Sequence, residues 1–220
     1  MLQYQIMEIS WLGHSCFRIR GKQATIVTDP VSPGKGYTLG KLGANIVTVS
    51  HDHNGHNYTA GVSDNPHVLS RPGEYEVSGV LVIGLDSFHD TSRGTEKGKN
   101  TIFVMETEEM SICHLGDLGC PLSASQVEEI GKVDILMIPV GGGSTINATA
   151  ASAIVRQIEP KIVLPMHYKT SLFQDSLEPV EVFLKEMGVT DTTTKPKLSI
   201  NKNSFPLTTQ VMLLELQPVK

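Results

Sequence analysis

Cysteine is scarce in this chain. Cys16, Cys113 and Cys120 are the three among 220 residues, an odd set without CxxC spacing. That argues against a disulfide framework and fits a reducing compartment, so the expected location is cytoplasmic. Clustered positive charge is also lacking: the formal net charge is -5, the pI is near 5.9 and no block of Lys or Arg stands out. A dedicated DNA or RNA binder is therefore without its electrostatic footprint. The segment Met1-Leu2-Gln3-Tyr4-Gln5 carries neither the basic nor the apolar region of a signal peptide, and no apolar stretch approaches the ~20 residues needed to span a bilayer. What is present is an apolar fraction of 40%, ordinary for a globular chain and sufficient for a packed core without staples. One domain over residues 1–220 is the expectation.

Turn signals at Gly13 and at Gly21-Lys22 separate three predicted strands, over 6–11, 16–20 and 24–28, into an antiparallel meander that Asp29-Pro30 ends. The Pro/Gly-rich stretch 32–36 reads as a surface loop. Further strands are expected over 46–49, 67–69, 75–88 with a hairpin turn at Ser78-Gly79, 101–106 and 110–114. The second half then changes character. A helix over 123–130 with Ser123 as N-cap leads to a buried strand over 134–140 and the run Gly141-Gly142-Gly143. A helix over 149–158, broken at Glu159-Pro160, leads to a strand over 161–165; a helix over 177–187 and strands over 198–200 and 211–216 close the chain. Mixed sheets covered by helices are the simplest account of this order.

The chemistry gathers in Ser50-His51-Asp52-His53-Asn54-Gly55-His56-Asn57, three imidazoles within six residues, directly after the β-branched run Ile46-Val47-Thr48-Val49. Imidazole is the commonest protein ligand for zinc and its neighbours. Alternate residues of an extended chain point to one side, so His51 and His53 can grip one ion while His56 serves a second. His89-Asp90 and Met166-His167 also end strand-like runs, and Asp117 follows a strand in a Gly-flanked turn. A carboxylate has two oxygens at a separation suited to bridging two divalent ions, which is the role expected of Asp117.

These residues, in this order, resemble the metallo-β-lactamase superfamily over nearly the whole chain. The family motif HxHxDH is similar to His51, His53 and His56; its next histidine matches His89, its bridging aspartate Asp117 and its last histidine His167. Asp29 sits where the family has an aspartate that orients metal ligands from behind. Trp11-Leu12-Gly13-His14-Ser15, Pro72-Gly73-Glu74-Tyr75 and Leu164-Pro165-Met166-His167-Tyr168-Lys169 look like a compact bacterial subgroup of Zn-dependent hydrolases, related to an ascorbate-6-phosphate lactonase-like branch. The resemblance implies an α/β (α+β) fold, a four-layer αββα sandwich of two mixed β-sheets flanked by helices, with the site along one edge of the sheets. It implies one or two Zn2+ ions, or Mn2+, with His51, His53 and His89 on the first and His56, His167 and the shared Asp117 on the second. Asp117 and His56 are assigned to catalysis as well. The implied activity is hydrolysis of a small ester, lactone or phosphodiester by a metal-bound hydroxide, with a small-molecule substrate and neither nucleic acid nor membrane as partner.

One residue departs from the pattern: the aspartate of HxHxDH is Gly55 here. The second ion loses an oxygen ligand, for which Asn54 or Asp52 is the nearest replacement. A metal-binding scaffold that has lost catalysis is the competing reading. His14 and His114 either line the pocket or support a neighbouring loop by hydrogen bonding, and neither is assigned as a ligand. His67 reads as a surface residue and Cys120 as a small buried hydrophobe. Gly141-Gly142-Gly143 reads either as an anion cradle or as a tight turn, and Tyr168 and Lys169 either as substrate contacts or as a solvated loop end.

Overall fold

The computed structural model describes residues 5–33, 36–173 and 176–217. The meander forms as read: β1 (Met7–Gly13), β2 (Cys16–Arg20) and β3 (Thr25–Thr28) pair antiparallel. Gly34 and Lys35, within the loop read from the Pro/Gly-rich stretch that follows, lie outside the described residues. The short strands β4 (Leu42–Gly43) and β6 (Val62–Ser63) pair with each other, while β5 (Ile46–Thr48) joins β3 in parallel and β7 (His67–Leu69) joins β5 in parallel. The second sheet opens with β8 (Gly73–Val77), β9 (Val80–Phe88), β10 (Lys99–Thr107) and β11 (Met110–His114), all antiparallel neighbours. Helix α1 (Ala124–Ile130) then leads to β12 (Ile135–Pro139), and α2 (Ala148–Ile158) leads to β13 (Ile162–Met166); both strands extend the sheet in parallel. After α3 (Val180–Glu186) come β14 (Thr194–Lys195), β15 (Leu198–Ile200), β16 (Gln210–Val211) and β17 (Leu213–Leu214). The first large sheet has the order β15-β1-β2-β3-β5-β7 and the second β16-β13-β12-β11-β10-β9-β8.

Side-chain alternation decides how these sheets stack. Successive residues of a strand face opposite ways. In β12, Ile135 and Met137 enter a core shared with Ile9, Phe17 and Ile46 of the first sheet, while Leu136 and Ile138 enter a separate core under the helices. That is why β12 and β13 are buried at every position and read as unbroken apolar runs. Ile154, Val155, Phe183 and Leu184 pack α2 and α3 onto this outer face. The fold class is the one implied by the sequence, two mixed sheets face to face with helices outside. On the outer face of the first sheet Val31, Tyr37, Leu39, Leu42 and Val62 pack over Val27 and Val47, in a covering layer that includes a short turn at Thr59–Gly61.

Caps fix the helix starts. Ser123 and Gln126 form a reciprocal capping box, and the Asn147 side chain accepts from the Ala150 amide. The last helix is shorter than its sequence pattern predicts, because Pro179 holds an extended conformation as the cap and Val180 is the first helical residue. The strand expected over 211–216 divides between β16 and β17, which pair with different partners. Within each large sheet the strands β1, β3, β5 and β9, β11, β13 run the same way, so the segments following them emerge along common edges.

Candidate metal centre

Asp117 lies in the turn after β11, and the turn is built to hold it still. Gly116 has φ 58°, and a side chain there would run into Asn100 and Ser50. The buried Asn100 accepts from the Asp117 amide at 2.9 Å and donates through Nδ2 to Leu115 O at 2.9 Å. So fixed, Asp117 Oδ2 lies 3.1 Å from His167 Nε2, 3.3 Å from His56 Nε2, 3.6 Å from His89 Nε2 and 3.9 Å from His51 Nε2. Four imidazoles delivered by the ends of β5, β9 and β13 thus converge on one carboxylate oxygen. Burial disfavours the charged carboxylate, but His167 and His56 beside it hold the group well below the usual carboxylate range.

Asp29, at the end of β3, sets the ring orientations from behind. Its Oδ2 accepts from His56 Nδ1 at 2.9 Å and from Ser50 Oγ at 2.6 Å, and its Oδ1 accepts from the Ser50 amide at 2.7 Å. Ser50 has one proton, given to Asp29, so its oxygen accepts from His51 Nδ1 at 2.9 Å. Both rings are thereby presented through Nε2, and the buried Nε2 atoms of His51 and His56 have no hydrogen-bond partner of acceptable geometry. Burial and then the neighbouring His56 push His51 down to about 4, leaving it neutral. Burial opposes charge on His56 too, but Asp117 and Asp29 on either side push it up to about 10. The centre therefore demands positive charge between its two carboxylates. Oriented imidazoles around a buried ionised carboxylate are the donor set that divalent zinc-like ions take.

Three candidate ligand groupings, each with donor atoms within 4.8 Å of one another, emerge: His51 with His53 and His56, His51 with His89 and Asp117, and His14 with His56 and His167. All six residues expected from sequence are brought together; His53 is the exposed member, with its ring parallel to that of His51 at 5.9 Å. Sequence reasoning left His14 unassigned. It follows β1, its ring centroid is 4.2 Å from that of His167 and 4.8 Å from that of His56, and its backbone is left-handed at φ 53°. Asp29 and His167 share that conformation at φ 38° and 51°, and such positions in non-glycine residues concentrate at functional sites.

His114 resolves to the supporting alternative. Its Nδ1 accepts from the Gly116 amide at 3.2 Å, so its Nε2 donates to Ser15 O at 2.9 Å. Tyr168 does not face the site: it is stacked on Trp11 with centroids 5.3 Å apart. The glycine run is a tight turn, since the Gly141 and Gly142 amides donate to His167 O and Ile146 O. Asp52 is exposed, takes Asn57 Nδ2 at 2.5 Å and belongs to none of the candidate ligand groupings, and Asn54 is exposed. His67 is exposed on β7, and Cys120 is half-buried against the helix-side core. The metal-ligand candidates line a cavity of about 460 Å³ together with Asp52, Lys97, Ser144, Phe173 and Ser176. That volume is in the range of small-molecule sites. No helix among the described residues is long and apolar enough to cross a membrane.

Residues 8–167 match the model of the beta-lactamase superfamily domain. A UPF0173 protein of Pyrococcus furiosus is 30% identical over 198 residues, covering 82% of this chain and 90% of its own length. A UPF0173 metal-dependent hydrolase of Thermococcus onnurineus is 26% identical, covering 75% of this chain and 86% of its own. Among solved structures, a candidate Zn-dependent hydrolase of the metallo-beta-lactamase superfamily from Thermotoga maritima is 38% identical with a TM-score of 0.79, covering 96% of this chain and 100% of that one.

Proposed function

The chain belongs to the beta-lactamase superfamily, and on that premise we infer that it is a metal-dependent hydrolase whose substrate is a small anionic ester, lactone or phosphodiester. The observation that carries this reading is the convergence of four imidazole Nε2 atoms, 3.1 to 3.9 Å away, on the buried Asp117 Oδ2. His51, His53 and His89 would hold one ion, His56 and His167 another, with Asp117 between them. A divalent ion bound there polarises the scissile group and makes water a nucleophile near neutral pH.

The other tasks fall to side chains. Asp29 and Ser50 keep the two rings turned so that Nε2 is the donor. Lys97 is the Lys or Arg side chain among those lining the cavity, its Nζ donating to Ser144 O at 3.2 Å across the rim. It supports an anionic group on the substrate. Phe173 forms an apolar wall beside His14, with centroids 4.8 Å apart. A donor set dominated by imidazole favours zinc over manganese, which prefers oxygen.

The test is hydrolysis of lactone, phosphodiester and thioester panels by protein stripped of metal and then reloaded with Zn2+ or Mn2+. Metal-restored turnover of an anionic ester or lactone supports the reading. No metal-dependent turnover of any panel member contradicts it.

A further inference from the structure

Position 55 carries glycine for reasons of space, not of backbone conformation. Gly55 is not among the glycines with positive φ, so its backbone accepts any residue. A Cβ built there would lie 3.1 Å from His14 Nε2, 3.2 Å from His14 Cδ2 and 3.5 Å from His53 Nδ1. The His14 imidazole therefore occupies the direction that the aspartate of the HxHxDH pattern would take. It follows β1, three strands from β5 in the first sheet and 41 residues earlier in the chain.

We propose that His14 replaces the missing aspartate as a ligand of the second ion, so that this centre is His14, His56, His167 and Asp117. The three imidazoles are buried, with donor atoms within 4.8 Å of one another. The loop bearing His14 is tied to the other ligands of the same centre. His14 O accepts from the His167 amide at 3.2 Å and from Trp11 Nε1 at 3.0 Å, while Ser15 Oγ donates to Asp117 Oδ1 at 3.4 Å and Ser15 O accepts from His114. These contacts hold a left-handed histidine that an exposed turn has no reason to keep. Exchanging a carboxylate for a neutral imidazole leaves the binuclear centre one formal charge more positive and softer in its donors. The consequences are a stronger preference for zinc and a stronger pull on anionic substrates.

This rests on the metal reading above, and the test separates the two. Zinc content after loading and gel filtration is measured for the wild type, His14→Ala, Gly55→Asp and the double variant His14→Ala with Gly55→Asp, with zinc-edge X-ray absorption on each. The wild type is expected to hold two equivalents. His14→Ala should keep the first and bind the second at least about 100-fold more weakly, beyond the 10–100-fold typical of losing an orienting neighbour. Gly55→Asp alone should weaken the second equivalent by crowding His14. The double variant should regain it with one imidazole fewer and one oxygen more per pair of ions, which also shows that loss in His14→Ala is not misfolding. Two equivalents with unchanged affinity and imidazole count in His14→Ala overturn the inference, as does a wild type that holds one equivalent unaffected by His14→Ala, with the metal reading intact. A wild type that binds no zinc overturns both.

Discussion

His56 Nδ1 donates to Asp29 Oδ2 across 2.9 Å, with both side chains wholly buried, and this pair turns the opposite nitrogen of His56 toward Asp117. The same Asp29 oxygen takes the Ser50 hydroxyl that orients His51. One carboxylate outside the candidate ligand groupings thus orients two candidate ligands.

Asp29→Asn keeps the shape but puts an amide donor or a neutral acceptor where two donors now converge. Zinc affinity should fall about 10–100-fold, as for other outer partners of metal-binding histidines. A competitive titration against a chromophoric chelator measures it; an unchanged affinity would remove Asp29 from its orienting role.

Metal removal should lower thermal stability, because an ion that binds the folded centre and not the unfolded chain stabilises by mass action. At free zinc 100 times Kd the gain is about 2.7 kcal/mol. For a chain of this size that is a rise in melting temperature of roughly 5–11 °C over chelator-treated protein. Calorimetry with and without zinc checks it.

His114→Ala leaves the Gly116 amide and Ser15 carbonyl without their buried partner. Each such group costs about 1–3 kcal/mol, so metal-free protein should melt well below the wild type. The affinity for the second zinc should fall too, since both loops it joins carry candidate ligands. Melting curves and zinc titration read the two effects separately.

Lys97→Ala should raise KM for anionic substrates roughly 2- to 5-fold, the equivalent of ~0.5–1 kcal/mol for an exposed ion pair. Turnover of neutral esters should not change, and the difference should shrink in high salt. Steady-state kinetics at two ionic strengths on a charged and a neutral ester make the comparison.

The His51-His53-His56 spacing, the positions of His89, Asp117 and His167 after strands, and the alternation in β12 are local signals, so the sheets and six of the candidate ligands were legible in the sequence. His14 was not. A single histidine in Gly13-His14-Ser15 has the same local signature whether it supports a loop or binds an ion. What distinguishes the two is the missing side chain at Gly55, whose place His14 takes only when β1 and β5 share a sheet. The usable signal was the pairing of a glycine in the HxHxDH aspartate's place with an unassigned histidine at another strand end. Tyr168 misled for a similar reason: it adjoins His167 in sequence, but its ring turns back onto Trp11.

Zinc-edge anomalous diffraction from crystals grown with Zn2+ tests the central claim most directly. The account predicts two anomalous maxima flanking the Asp117 carboxylate, one among His51, His53 and His89 and the other among His14, His56 and His167. Crystals with no anomalous maximum within coordinating distance of any of these side chains would contradict it.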